Sequence, residues 1–296
     1  MTTLSVLVPH FNDPSGLRLS LDSVARQTWR GDLKIIICDD GSTPAAFEQL
    51  TEVVAAAAVK VEVVRNSRNR GRPYTRNVLL DAAEGRYTAW LDAGEEWYPD
   101  KISEQIAGLY RARYRKFDRP VWCTCNYDWQ WEGRRPRLRR QLVKGDQSAN
   151  LLTGSLGAYL WTLLAPTSAF RDVGYFDLNL PRLQDLDFFL RFTKKGGMLI
   201  LPPSHEPLCV YHKSDVGRDG REIYRCFKYV HERHAELMLQ HSRAFRRNRR
   251  FQACLHAARF TQNNGEAMAT GAFLARALAM HPAGFAKWLW ATRGRL

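Results

Sequence analysis

The carboxylates of this 296-residue chain are the side chains best placed to do chemistry. Asp39-Asp40 and Asp92 each sit directly behind a short apolar run, Leu33–Cys38 and Tyr87–Leu91. Such runs read as buried parallel strands, and in open α/β sheets ligands gather beyond the carboxyl ends of the strands. The acidic residues are therefore expected to converge on one crevice. Arg76 falls in the first turns of a helix, where free backbone N–H groups also favour anions, so contact with a phosphate is reasonable. Arg68, Arg70 and Arg72 add positive potential nearby. Each residue has a plainer use. Asp favours turns that cap the following helix, Arg76 could face solvent, and Glu95-Glu96 could be a solvated acidic turn before the helix that begins near Pro99.

The elements that must position these groups alternate strand and helix over the first ninety or so residues. After Leu4–Val8, Asp13 suits a helix cap with Pro14 at the first helical position, and Leu17, Leu21 and Val24 repeat at helical spacing. Strand 33–38 leads into Asp39-Asp40-Gly41-Ser42-Thr43-Pro44 and a helix over 45–57. Strand 59–64 follows, then a third helix opened by Pro73 and closed by Gly85, then strand 87–91. Repeated βα units of this length predict a parallel sheet with helices on both faces.

Composition narrows the remaining classes. Six scattered cysteines include only one close pair, Cys123 and Cys125, so reduced thiols are expected rather than a zinc site. Met1 leads almost at once into a strand without a basic segment and an apolar one, so export is not expected. Residues 147–170 carry no charge, but Ser, Thr, Asn, Gly and Pro dilute them below the hydrophobicity of a membrane span, and they read as buried protein. Of the net charge of +14, residues 216–296 contribute +10, from 15 Lys and Arg against 5 Asp and Glu. A second cationic knot is Arg134, Arg135, Arg137, Arg139 and Arg140. Such fields attract nucleic acid, anionic headgroups or phosphorylated substrates, though no nucleic-acid motif accompanies them. Tyr127, Trp129 and Trp131, with Trp122 before them, either pack one face of a strand or offer rings to a sugar; packing is the reading preferred here. Helices are expected over 222–240, 247–262 and 266–280, and Phe285–Trp290 with Lys287, Arg293 and Arg295 has the make-up of an interfacial anchor or a packing element.

Several segments together carry a resemblance. Ser5-Val-Leu-Val-Pro-His-Phe-Asn12, Leu21-x-Ser23-Val-x-x-Gln27-Thr28, Ile36-Ile-Cys-Asp-Asp-Gly-Ser-Thr43, Asn69-x-Gly71, Arg76-Asn77 and Ala83-Glu-Gly-Arg-Tyr87-x-x-x-Leu91-Asp92 occur in the order seen in family 2 glycosyltransferases. The likeness runs from about Ser5 to His212, and the ordered set is far more specific than any one motif. It implies the GT-A fold, an α/β architecture with a mostly parallel sheet flanked by helices, here followed by a C-terminal helical region. The expected domains are a transferase domain over 1–215, with a nucleotide-sugar-binding half 1–98 and an acceptor half 99–215, and a basic helical region 216–296. The implied activity is transfer of a sugar from a nucleotide-diphosphate donor, guessed to be a UDP-sugar, to an acceptor hydroxyl with inversion, in surface polysaccharide or glycolipid assembly.

By the same resemblance, Asp40 hydrogen-bonds the base, Pro9 and Phe11 line its pocket, Arg76 approaches the base or phosphates, and Asp39 supports the loop. Relatives carry Asp-x-Asp after strand 87–91, and the second aspartate commonly contacts a divalent ion. Here the run is Leu91-Asp-Ala-Gly-Glu-Glu-Trp97, and Gly94 stands at that place. A Mn²⁺ or Mg²⁺ ion is expected on Asp92 and Glu95; Asp92 alone, or neutralisation by cations without a metal, are the alternatives. Val173-Gly-Tyr-Phe-Asp177 and Leu183-Gln-Asp-Leu-Asp-Phe-Phe-Leu-Arg191 resemble the family's acceptor-side segments, with Asp185 at the general base and Gln184 in place of a glutamate. Asp187 reads as a brace, and Arg191 as a partner of Asp185 or an exposed cation. His212-Lys213 follows an apolar run where relatives bring a basic group to the diphosphate, and 214–221, punctuated by Gly217 and Gly220, reads as a loop. A cytoplasmic protein is expected, meeting a saccharide or lipid-linked acceptor at the inner membrane face through its basic C-terminal region. The second reading, motivated by Gly94 and Gln184, is a catalytically impaired nucleotide-sugar-binding protein of the same fold.

Overall fold

A computed structural model describes residues 3–115, 118–131, 133–212 and 219–292. Lys213, residues 214–218 of the expected 214–221 loop, Arg293 and Arg295 lie outside the described residues. Contacts divide the chain into two compact units, Met1–Asn179 with Phe188–Lys213, and Leu180–Asp187 with Ser214–Leu296. The second unit therefore takes in a short segment, with Asp185, that lies on the near side of the boundary expected at residue 215.

The first unit begins with β1 (Leu4–His10), α1 (Pro14–Ala25), β2 (Leu33–Asp39), α2 (Pro44–Ala55), β3 (Val61–Arg65), α3 (Arg72–Ala82) and β4 (Tyr87–Trp90). Asp13 caps α1 by accepting the Gly16 N–H. Thr43, not an aspartate, caps α2 by accepting the Ala46 N–H. β2 is buried from Lys34 to Asp39, as a strand covered on both faces must be, whereas β3 closes the sheet's edge and alternates in exposure. β1 runs parallel to β2 and β4, with Leu4 opposite Leu33 and Tyr87, and β2 runs parallel to β3, with Asp39 opposite Arg65. All four strands thus end on the same side. Asp39-Asp40 and Asp92 come together there for that reason.

Next come β5 (Glu96–Trp97), α4 (Lys101–Tyr114), β6 (Val121–Cys123), β7 (Asn126–Gln130), β8 (Arg137–Arg139), α5 (Gln147–Thr153), a single 3₁₀ turn at Leu160–Thr162, β9 (Leu164–Pro166), α6 (Thr167–Arg171), α7 (Gln184–Lys194), β10 (Met198–Ile200) and β11 (Pro207–His212). The main sheet has the order β10-β6-β9-β4-β1-β2-β3 and is mostly parallel, with β9 antiparallel to both neighbours. β9 comes from the uncharged stretch, whose residues Leu160–Ala165 are buried. A second sheet, β5-β11-β7-β8, was not visible in the sequence pattern. Trp122 belongs to the interior, stacked on Phe192 at 3.7 Å and on Phe188 at 5.3 Å, with Phe170 alongside. All six cysteines are buried thiols.

The second unit holds α8 (Gly220–Arg233), α9 (Ala235–Leu239), α10 (Arg243–Asn263), α11 (Ala267–Met280) and α12 (Pro282–Thr292). α10 packs on α8 and α11. Its core is small, built on Phe251, Cys254, Leu255 and Ala277 with Tyr224, Phe285 and Trp288 against them. Gly220 opens α8 so close to α10 that a Cβ would lie 2.4 Å from the Ala257 carbonyl oxygen. Asp187 is fully buried and braces this unit, its Oδ1 accepting from His234 Nε2 at 2.9 Å and Arg233 Nε at 3.0 Å. No described helix is long and apolar enough to cross a membrane.

Candidate active site

Asp39 and Asp40 are neighbours with separate tasks. The buried Asp39 carboxylate accepts from His10 Nδ1 at 3.0 Å, from the Ser42 N–H at 3.2 Å and from the Ser42 hydroxyl, and pairs with Arg65 Nε at 3.3 Å. His10 Nε2 accepts the Asp13 N–H at 3.2 Å, so the network assigns the ring proton to Nδ1. Asp39 is thus a brace holding the ends of β1 and β2 in register. Asp40 Oδ1 accepts from Asn66 Nδ2 at 2.8 Å and the Arg70 N–H at 2.9 Å, while Oδ2 accepts the Gly71 N–H at 2.8 Å. An ionised carboxylate has about four acceptor sites, so roughly one remains. Gly41 is required beside it, since its φ is +71° and a Cβ would come within 2.3 Å of the Arg68 backbone. The Asp40 N–H donates to the His10 carbonyl at 2.9 Å, which places Phe11, 45% exposed, and the half-buried Pro9 at the same mouth.

Arg76 is not a surface cation. It is 1% exposed, and its Nη2 donates to both Asp92 oxygens at 3.1 and 3.2 Å, with Phe176 5.7 Å from the guanidinium. The Asp92 side chain keeps 28% of its surface. This pair forms a charged floor with one carboxylate facing outward.

The turn after Asp92 is held from α1. Ser20 Oγ donates to the Glu95 carbonyl at 2.8 Å and accepts the Gly94 N–H at 3.0 Å. Gly94 has φ +91°, a backbone shape that costs an L-residue but suits glycine. Gln27 fixes the next stretch, donating to the Tyr98 carbonyl at 2.8 Å and accepting the Ile102 N–H at 3.1 Å. Ser20 of α1 and Gln27 just beyond it are therefore positioning residues; Gln27 belongs to a motif that carried the resemblance, whereas Ser20 was not singled out, and a serine on the apolar Leu17–Leu21–Val24 face was its available signal.

Glu95 is 7% exposed rather than a solvated turn residue. Its Oε2 accepts the His212 N–H at 3.0 Å, and burial, reinforced by the nearby Asp92 charge, pushes its carboxyl well above the usual range. The His212 ring meets Glu96 Oε1 at 2.8 Å, and Arg26 approaches the other Glu96 oxygen at 3.4 Å. The strand end of β11 is thus tied to the Asp92 turn.

A hard divalent ion needs oxygen ligands, and no group of three His, Cys, Asp or Glu side chains among the described residues could hold one. Gly94 offers no side chain, and Glu95 is buried with its Oε2 accepting the His212 N–H. Of the expected pair, Asp92 is the partly exposed carboxylate. A single carboxylate fits an ion that takes its other ligands from substrate phosphates and water.

Asp185 lies in the first turn of α7, partly exposed, within the second unit. Gln184 before it is buried, and its Oε1 has no hydrogen-bond partner among the described residues. Arg191 is not an exposed cation. Its Nη1 donates to the Val173 carbonyl at 2.8 Å and its Nη2 to that of Tyr175 at 2.9 Å, clamping the 173–177 segment.

A family model described as glycosyl transferase family 2 matches residues 5–160, the span that builds β1 to β4 and the Asp92 turn. The chain belongs to that family. Among its relatives, the Escherichia coli UDP-Glc:alpha-D-GlcNAc-diphosphoundecaprenol beta-1,3-glucosyltransferase WfaP is 30% identical over 106 residues, 36% of this chain and 41% of that protein. The amylovoran biosynthesis glycosyltransferase AmsB of Erwinia amylovora is 30% identical over 216 residues, 71% of this chain and 69% of that one. The match to WfaP thus spans less than half of that relative's length. The mannosyltransferase PcManGT from Pyrobaculum calidifontis, solved with GDP-Man and Mn²⁺, superposes with a TM-score of 0.60 at 16% identity, over 96% of this chain and 82% of that one. The GT-A fold expected from the family's motifs is the fold found.

Proposed function

We propose that this family 2 member is an inverting glycosyltransferase that moves a sugar from a nucleoside-diphosphate donor to an acceptor hydroxyl in surface polysaccharide or glycolipid assembly. The observation that carries this reading is the gathering of Pro9, Phe11, Asp40, the Arg76–Asp92 pair and the Glu95–His212 contact at the carboxyl ends of the parallel strands. Asp40 accepts an imide N–H of the base with its remaining lone pair, and Phe11 and Pro9 offer the ring an apolar wall. Arg76 is positioned to shift part of its interaction from Asp92 to a diphosphate, and His212 adds a polar edge. A divalent ion on Asp92 would supply positive charge to the departing diphosphate. Asp185 accepts the proton of the acceptor hydroxyl as its oxygen bonds to the anomeric carbon and the bond to the donor phosphate breaks; one displacement inverts the centre.

The names of WfaP and PcManGT, which mention UDP-Glc and GDP-Man, support a nucleotide-sugar donor, and a UDP-sugar is the choice made here. WfaP's name also supports a lipid-linked acceptor. Contact with the inner membrane face is assigned to α12, which has no buried residue and leaves Leu289 and Trp290 exposed. Thermal shift with UDP-glucose, UDP-N-acetylglucosamine and GDP-mannose, with and without Mn²⁺, tests the donor site, because a ligand of the native state raises Tm. No shift with any of them removes the proposal. Gly94 and Gln184 favour a second reading, an impaired binding protein; donor binding without hydrolysis or transfer would select it.

A further inference from the structure

Away from the Asp92 turn, the first unit has a groove of about 460 Å³ lined by Tyr127, Trp129, Tyr159, Arg139, Arg140 and Gln141 among others. Its outer wall is the edge strand β8. Arg139 and Arg140 line the groove, Arg134, Arg135 and Arg137 are exposed outside its lining, and none of the five guanidinium groups joins an ion pair among the described residues. Asp128, the acid on neighbouring β7, is engaged by the Tyr98 hydroxyl at 2.9 Å. Arg139 lies over the Trp129 ring at 3.8 Å, which holds its planar fork flat at the groove wall. Five cations with no ion pair among the described residues, beside a concave aromatic wall, differ from a merely solvated charged face. The wall suits a sugar ring and the forks suit phosphate oxygens.

The groove shares a sheet with the Glu96–His212 contact. In the order β5-β11-β7-β8, β8 is three strand spacings from Glu96 on β5, about 14 Å at roughly 4.8 Å each. Between them the rings of Tyr159, Trp161 and Tyr211 stack on one another, Tyr159 and Tyr211 at 6.0 Å and Trp161 and Tyr211 at 5.5 Å. Tyr211 immediately precedes His212 at the end of β11.

We propose that this aromatic and arginine-walled groove binds the acceptor as a glycosyl phosphate or diphosphate, Arg139 and Arg140 holding its phosphate and Trp129 and Tyr159 its sugar ring. The assignment of the ligand as acceptor rests on the transferase reading above. Binding can be measured by calorimetry with octyl α-N-acetylglucosaminyl diphosphate and with the neutral octyl α-N-acetylglucosaminide. The diphosphate should bind at least tenfold more tightly, and the double variant R139A/R140A should lose at least tenfold for it while binding UDP as the parent does. The charge-matched variant R134A/R135A, outside the groove lining, should leave diphosphate binding unchanged. Equal binding of the two glycosides overturns the proposal, as does an equal loss in R134A/R135A, which would indicate bulk charge. Loss of phosphatidylglycerol vesicle binding in R139A/R140A with glycosyl diphosphate binding intact overturns it in favour of a membrane-facing edge. Failure of the donor reading is separate, since it shows as absent UDP binding in the parent chain.

Discussion

Asp185 and Glu95 illustrate how two carboxyl groups acquire different duties. As the proposed general base, Asp185 should contribute about 10²- to 10⁴-fold to the rate, so Asp185→Asn is expected to lose transfer by that order while UDP-sugar affinity holds. Initial rates and calorimetry on one preparation check both halves. Glu95 bears on stability. Its folded carboxyl is raised above the ordinary 4.5, so the folded state binds the extra proton, and stability should fall as pH climbs from about 4.5 through the raised value. Glu95→Gln removes that titration yet can still accept the His212 N–H. Urea midpoints for the variant should therefore decline less between pH 5 and pH 8 than those of the parent, measured without metal or nucleotide. An identical decline would mean that Glu95 is not the responsible group.

At the scale of elements, the turn carrying Asp92 depends on α1. Ser20→Ala leaves the Glu95 carbonyl without the hydroxyl that donates to it, while the Gly94 N–H keeps the Gly16 carbonyl, a loss of about 1 kcal/mol. A lower Tm and a raised KM for the donor, with kcat less affected, is the expected result. Gly94→Asp restores the residue usual in relatives, but at φ +91° an L-residue pays about 1–2 kcal/mol. Reduced stability by denaturant titration is the outcome to look for. The α1, α2 and α3 starts were legible in the sequence because Asp13-Pro14, Thr43-Pro44 and Pro73 are local signals with local causes. The second sheet was not, because β5 is two residues long and β8 reads Arg-Leu-Arg, with no apolar alternation to reveal it. Arg76 was placed beside the nucleotide phosphates by resemblance, but its burial against Asp92 and Phe176 arises from partners far along the chain.

For the whole molecule, the aromatic interior of the first unit carries much of the stability. Trp122 is fully buried among Phe170, Phe188 and Phe192, so Trp122→Ala should cost about 3–5 kcal/mol, a large share of the roughly 5–15 kcal/mol typical of a native domain, read as a lower urea midpoint. The second unit is different in kind. Its cohesion comes from a small core and the buried Asp187–His234 pair joined by the exposed Arg233, while the helix expected over 222–240 is broken at His234 into α8 and α9 and those expected over 247–262 and 266–280 are found with modest shifts. The burial of Asp187 and the extension of this unit into 180–187 were hidden from the sequence, since neither periodicity nor composition reports which distant helix a segment joins.

β8 also bears on how the molecule behaves in crowded solution. An outermost strand leaves a row of amide and carbonyl groups that could template another copy, and natural sheets deter this with like charges on that strand. Here the phosphate-seeking arginines double as such a deterrent. Covering them with a polyanion would remove the repulsion, so self-association would be governed by whichever anionic molecule the strand meets.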